Sequence, residues 1–334
     1  MKTFRKLIYM MATVLTAVLP VGCSQSEDND PDDSDFKKGI PTEVTFSLSS
    51  RSGNYTRADG RPENPTGSVE LIHNWWLAFV DQSGNVTVKK RGEEHGKGFE
   101  AETFKIIIPS GTYDIYAFAN IDVPENVETV ISALLDQDKK KILGKALSEF
   151  VANDKFLQDG MQWPSDRNIP MTGFINNAKI RNTIEESFSI EVIRTVAKVE
   201  FTIENPTEDE ISLESLTFDQ VTKTDVALFP DYNVIGQKAF MALEGAAYGL
   251  LTVDTDLDKT PFRNASRIFS FYCKETLGTT YKDHDDQTGC FKISFKGKKK
   301  RKGTDADTGT TEVLERTFYT TKIKNYINRN DWVP

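Results

Sequence analysis

The stretch Ile72–Val80, IHNWWLAFV, is apolar at odd and even positions alike. Side chains alternate between faces along a strand, so a strand here has to be covered on both sides. Its aromatic and β-branched content suits a central strand. Asp81-Gln82-Ser83-Gly84-Asn85 then supplies turn chemistry, and Val86-Thr87-Val88 resumes as the hairpin partner. Phe104–Ile108, the tight turn Pro109-Ser110-Gly111 and Tyr113–Ala119 continue the pattern, which predicts a meander. Trp75 and Trp76 read as core, because tryptophan in a buried strand packs more often than it forms a sugar-stacking platform.

Between Pro124 and Phe156 the period changes. Val127, Val130, Ile131, Leu134 and Leu135, then Ile142, Leu143, Ala146, Leu147 and Phe150, recur at helical spacing. They predict one or two amphipathic helices on an end or edge of the sheet. Met161–Phe174, interrupted by prolines, returns to loop and extended structure. Phe188–Ile203 holds two strand-like runs, and Leu213–Val221, Phe269–Cys273, Cys290–Phe295 and Arg316–Ile323 are further strands. Strands do not alternate with long helices, which argues against a parallel nucleotide-binding sheet. From about Ile40 onward the chain is long enough for two domains of roughly 100–200 residues. The expected fold is mainly β: two antiparallel β-sandwich domains, 42–185 and 186–334, with a short helical insertion in the first.

Met1–Cys23 reads as a secretion signal, with Lys2, Arg5 and Lys6 ahead of an apolar run, Leu7–Leu19, that is short for a membrane span. Leu19-Pro20-Val21-Gly22-Cys23 resembles the lipobox of bacterial lipoproteins, with its leucine one place further out than usual. In that pattern Cys23 is acylated and residues 1–22 are removed. The acidic run SQSEDNDPDDSD follows, too polar to bury a core, and residues 23–41 read as a tether. No later apolar run reaches membrane-spanning length, so attachment to a membrane is expected through lipid alone.

Thr42–Ala58, TEVTFSLSSRSGNYTRA, joins this tether to the first domain. Val44, Phe46 and Leu48 alternate with Thr45, Ser47 and Ser49, as in a half-buried strand. A polar segment leads on to Thr56-Arg57-Ala58, an arginine in a linker where a protease can bind an extended backbone. The plain alternative is an ordinary first strand and an ordinary surface arginine.

Little else in the chain carries chemistry. A net charge of −9 argues against a nucleic-acid partner. His73, His95 and His284 share no spacing, and nothing points to a metal site, a cofactor or a catalytic triad; an enzyme is not expected. Asp283-His284-Asp285-Asp286 lacks the spacing of a calcium loop and reads as a solvated turn. Lys298–Lys302, KKKRK, lies between glycines and reads as a hairpin tip rather than a binding patch. Cys273 and Cys290 either form a disulfide, if their strands pair, or stay as two buried thiols.

Several of these segments occur together in one family. The lipobox-like cysteine, the acidic tether, EVTFSLSS ending at TRA, IPSGTYDIYAFANI, NIPMTG, RTVAKVEFTI and INRNDWVP stand in the order seen in the fimbrillins, the type V pilins of Gram-negative bacteria, which this chain resembles along almost its whole length. The resemblance implies transthyretin-like sandwiches and export as a lipoprotein to the outer membrane surface. It further implies cleavage by an Arg-specific surface protease after the arginine that follows the first strand, here between Arg57 and Ala58. Removal of Val44, Phe46 and Leu48 would then open a groove for the C-terminal strand of another fimbrial subunit. Relatives continue past INRN with further strands, including that donor, whereas this sequence ends at Asp331-Trp332-Val333-Pro334: the expectation is either a fragment or a subunit that accepts a strand and donates none, with an unfilled edge in its second domain. The alternative is a lipid-anchored adhesin or glycan-binding lipoprotein that does not polymerise, with Trp163 or Trp332 as an exposed aromatic platform.

Overall fold

The computed structural model describes residues 36–50, 68–90, 98–123, 125–135, 162–163, 167–223, 228–229, 248–253, 260–274, 276–277, 292–301, 311–319, 326–327 and 332–333. The chain divides into Met1–Phe36 and Lys37–Pro334, and the strands and helix all belong to the second unit. That unit is mainly β, and its sheets form sandwiches.

The first sheet contains β1 (Pro41–Ser50), β2 (Trp75–Asp81), β3 (Val86–Lys90), β4 (Ala101–Pro109), β5 (Gly111–Ala119), β7 (Met171–Ile180) and β8 (Glu186–Arg194), in the order β3-β2-β5-β7-β8-β1-β4. The remaining short strand of this half, β6 (Gln162–Trp163), lies elsewhere. The meander expected for β2 to β5 is not formed. The hairpin β2–β3 exists, but β4 leaves it and pairs with β1 at the far end of the sheet. β4 has a single apolar face, Phe104, Ile106 and Ile108, and β1 offers a matching one. The sheet curls so that these end strands cover β2 and β5: Phe46 of β1 meets Phe79 of β2 edge-on, ring centroids 5.8 Å apart. Nor is the sheet purely antiparallel, since β1 runs parallel to β8.

β2 is buried on both faces, as its two-sided apolar run requires. Trp75, Leu77 and Phe79 enter the core enclosed by the curl. Trp76, Ala78 and Val80 enter a second core on the outer face. There Trp76 stacks on Phe118 at 3.7 Å and donates from Nε1 to the Ile121 carbonyl at 3.0 Å. A helix, α1 (Val127–Leu134), covers part of this face through Val127, Ile131 and Leu134, spaced for one side of a helix. The second helical run expected over Ile142–Phe150 lies outside the described residues.

The second sandwich begins at β9 (Ala197–Asn205), so the run Phe188–Ile203 is shared: β8 closes the first sheet and β9 opens the next. One layer has the order β17-β9-β12-β6: β9 lies between β17 (Trp332–Val333) and β12 (Ala265–Cys273), and β12 pairs in turn with β6. The other, β11-β10-β14-β15, contains β10 (Glu210–Thr222), β11 (Tyr248–Thr252), β14 (Lys292–Lys300) and β15 (Thr311–Tyr319). Between the layers lie Val199, Leu213, Leu216, Phe218, Phe269 and Phe271. A separate two-stranded pair joins β13 (Thr276–Leu277) to β16 (Tyr326–Ile327).

Two expectations are corrected by this arrangement. Lys298, Lys299 and Lys300 lie within β14 rather than at a hairpin tip, and neighbouring carboxylates neutralise the run: Lys298 with Glu214 at 2.6 Å, Lys299 with Asp209 at 2.9 Å and Arg301 with Glu312 at 2.9 Å. Trp163 is no platform. It is 1 % exposed, donates from Nε1 to the Arg167 carbonyl at 2.7 Å and belongs to the outer core, while its backbone pairs with Tyr272 of β12.

Other contacts join the two sandwiches. Phe229 packs against Tyr116 and Phe118 at 5.0 and 5.2 Å, and Thr172 Oγ1 donates to the Leu228 carbonyl. Glu70, 2 % exposed, lies 3.0 Å from Arg194 of β8 and 3.3 Å from Lys198 of β9, and accepts a hydrogen bond from Tyr272 of β12.

β7 and β8 are in ladder register at Met171↔Arg194 and Thr172↔Ile193 and stay in close contact one residue further on, at Gly173. A Cβ at Gly173 would stand 2.2 Å from the Glu191 carbonyl oxygen, a backbone atom that cannot rotate away. Gly173→Ala is therefore expected to lower stability by about 1–3 kcal/mol, measured as a lower urea midpoint with an unchanged m value.

Candidate functional site

β1 is an interior strand. On one side it pairs antiparallel with β4 from Pro41↔Pro109 to Ser49↔Ala101, and on the other parallel with β8 from Val44↔Glu186 to Ser50↔Val192. Its alternation places Val44, Phe46 and Leu48 inside, at 0, 0 and 1 % exposure. Thr45 and Ser47 lie on the opposite face.

Register makes Phe46 the centre of a row. It stands directly opposite Phe104 on β4 and Phe188 on β8, with ring centroids 6.1 and 5.5 Å away and both pairs stacked. Trp75 extends the row by stacking on Phe104 at 3.9 Å. Each buried side chain of this size contributes roughly 1.5–3 kcal/mol, and two hydrogen-bonded ladders add to it. The outer face contributes little. Glu43 and Lys105 approach to 2.7 Å and the carboxylate raises the lysine above its ordinary range, but both ends are exposed.

The lead-in to β1 is fastened by one serine. Ser110 is buried, and its Oγ accepts from the Ile40 amide at 3.0 Å and donates to the Lys37 carbonyl. Its own amide donates to the Ile40 carbonyl, and its carbonyl accepts from the Gly39 amide, both at 2.8 Å. Gly39 has φ +83°, a left-handed conformation that glycine adopts without strain.

Arg57 and Ala58 lie in 51–67, outside the described residues, as does Cys23. The chain on the far side of that segment shares the core of β1 but makes hydrogen bonds of its own. Ile72 is fully buried and exchanges backbone hydrogen bonds with Phe99 at 2.9 and 3.0 Å. Asn120, at φ 56°, accepts from the His73 amide and donates to the carbonyls of Leu71 and Ile169, all within 2.9 Å. Sequence reasoning found the inner face of β1 from its alternation. It missed Ser110, Asn120 and the flanking Phe104 and Phe188, because each acts through a partner distant in sequence.

Cys273 carries a free, fully buried thiol, pushed up to about 12 by burial. Cys290 lies outside the described residues. Among the described residues no group of His, Cys, Asp and Glu is arranged to hold a metal ion.

No family model and no curated protein sequence matches the chain. Solved structures with a related arrangement include the tip fimbrial protein Mfa3 of Porphyromonas gingivalis, at 13 % identity over 82 % of this chain and 81 % of that one, with a TM-score of 0.46. A fimbrial assembly protein of Parabacteroides distasonis aligns at 12 % identity over 88 and 89 %, TM-score 0.42. The fimbrillin FimA of Porphyromonas gingivalis aligns at 14 % identity over 82 and 81 %, TM-score 0.38.

The row through Phe46 predicts a sharp contrast between the two faces of β1. Phe46→Ala is expected to cost about 3–5 kcal/mol, and Ser47→Ala to stay within about 0.5 kcal/mol of the parent. Equilibrium denaturation of the two variants checks both values.

Proposed function

We propose that this chain is a subunit of cell-surface fimbriae that supports adhesion, lipid-anchored as a precursor through Cys23 and assembled by strand exchange at the slot of β1. The observation that carries this reading is the placement of Val44, Phe46 and Leu48 between β4 and β8, with the residues beyond 51–67 fastened by contacts of their own. A cut after Arg57 leaves β1 held by non-covalent contacts alone. While β1 is tethered, a competing strand meets an effective concentration on the order of millimolar; once cut, β1 dilutes away when it leaves. The emptied slot offers two rows of unpaired backbone groups and an apolar floor, which a strand with matching alternation fills. A head-to-tail contact of this kind does not close on itself and propagates into a filament. The partners in this reading are other fimbrial subunits and an Arg-specific protease at the outer membrane surface.

The uncut chain is expected to remain monomeric. After treatment with an Arg-specific protease it should show Ala58 as its new amino terminus and join a full-length fimbrillin into larger particles by light scattering. Arg57→Ala should fold with the parent's stability and stay monomeric. Cleavage at Arg51 or Arg61 instead, or equal assembly by the variant, would overturn Arg57 as the switch. Cys23→Ala should abolish incorporation of labelled fatty acid and release the precursor from membranes; retained label would overturn the anchor.

A further inference from the structure

The two ends of β1 are held in different ways. The β4 ladder covers the strand from Pro41, but the β8 ladder begins at Val44, so residues 41–43 carry one ladder where the rest of the strand carries two. On the ladders alone, this end would fray first. Ser110 reverses that order. Its hydroxyl joins the Ile40 amide to the Lys37 carbonyl and its backbone pairs with Gly39 and Ile40. Thr42 Oγ1 closes the lead-in by donating to the Ile40 carbonyl at 2.9 Å.

Ser110 is itself fixed. It is 2 % exposed at the corner between β4 and β5, and the Tyr113 hydroxyl braces that corner by donating to the Pro109 carbonyl at 2.8 Å. A group held this firmly keeps its hydrogen bonds while the strand beside it moves.

The other end of β1 leads into residues 51–67. Ser50 donates to the Glu100 carbonyl from its amide at 2.8 Å and from its hydroxyl at 3.3 Å. The strand contributes no apolar side chain beyond Leu48, and Ser49 and Ser50 are half-buried. Once the chain is cut in 51–67, unpairing from this end withdraws Leu48, Phe46 and Val44 in turn and meets Ser110 last.

We propose that Ser110 is the residue that retains β1 after the cut, so that a cut subunit keeps its first strand, and the tether ahead of it, until an incoming strand displaces both from the Ser50 end. Ser110 is a positioning residue of the exchange, acting through the lead-in to β1 while the apolar floor of the slot receives the strand. The inference rests on the cut and the strand exchange proposed above and gives them an order. Cleavage alone leaves the subunit on its tether, and the incoming strand sets it free.

The test takes the full chain, cut with an Arg-specific protease, and follows the residues ahead of the cut by size exclusion and mass spectrometry after dilution. The cut parent should keep them, and Ser110→Ala, which loses two buried hydrogen bonds, should release them at least about fivefold faster. A second measurement needs no variant. Fluorescent peptides with the sequence of residues 37–50 are loaded into the cut parent in place of β1, one of them with an ester for the Ile40 amide, which removes the donor to Ser110 Oγ and keeps the shape. The ester peptide should leave about threefold faster or more, read by anisotropy, and in Ser110→Ala the two peptides should leave alike. Equal release from parent and variant, immediate release from the parent, or an ester peptide that leaves no faster than the amide would each overturn retention by Ser110. If release follows the expected order and neither peptide enters the emptied slot, strand exchange at this slot falls and retention by Ser110 stands.

Discussion

The first sandwich depends on the stacking of Phe46 between Phe104 and Phe188. Those three rings come from strands that are neighbours in space and distant in sequence, and their contact fixes the register on both sides of β1 at once. A slip of one residue along either ladder would turn Val44, Phe46 and Leu48 to solvent and bring Thr45 and Ser47 into the core. The curl of the sheet follows from the same contact, because Phe46 also meets Phe79 edge-on and thereby draws the end strands over β2. Everything on the outer face of β2, including α1, Trp163 and Phe229, packs on a platform whose position that curl has set.

The seam between the sandwiches uses different physics. Glu70 is buried against two cations and a phenol, an arrangement whose desolvation cost offsets much of its attraction. Such a cluster specifies geometry more than it stabilises: Arg194, Lys198 and Tyr272 belong to three strands in two sandwiches, and one carboxylate satisfies them only when all three are aligned. Phe229 and Leu228 supply the apolar burial beside it. Glu70 closes the short helical turn Ser68–Glu70, the first described residues after 51–67.

Local patterns made the strands legible and left their partners hidden. The two-sided apolar run of β2 and the alternation of β1 required buried faces, and both have them. The turn at Pro109-Ser110-Gly111 looked like a hairpin because tight turns usually make one. Instead it is a corner between β4, at one end of the sheet, and β5, in its interior, with Ser110 spent on the lead-in to β1. The lysine run of β14 looked like an exposed tip because its carboxylates lie on β10, on β15 and in the approach to β10, far along the chain. The site was legible to the same extent: its inner side chains are consecutive alternates in one strand, while Asn120 and Phe188, on which its shape also rests, gave no local sign of their role.

The position of β1 within its sheet has a mechanical side. A pull along the axis of β1 is met by the β4 and β8 ladders together, so their hydrogen bonds are loaded in shear and must fail as a group. A pull across the strand loads them one after another, and they open like a zipper. The slot is thus strong in one direction and weak in another, whichever strand lies in it. A chain held there would withstand tension along the strand far better than a slow peel from its end.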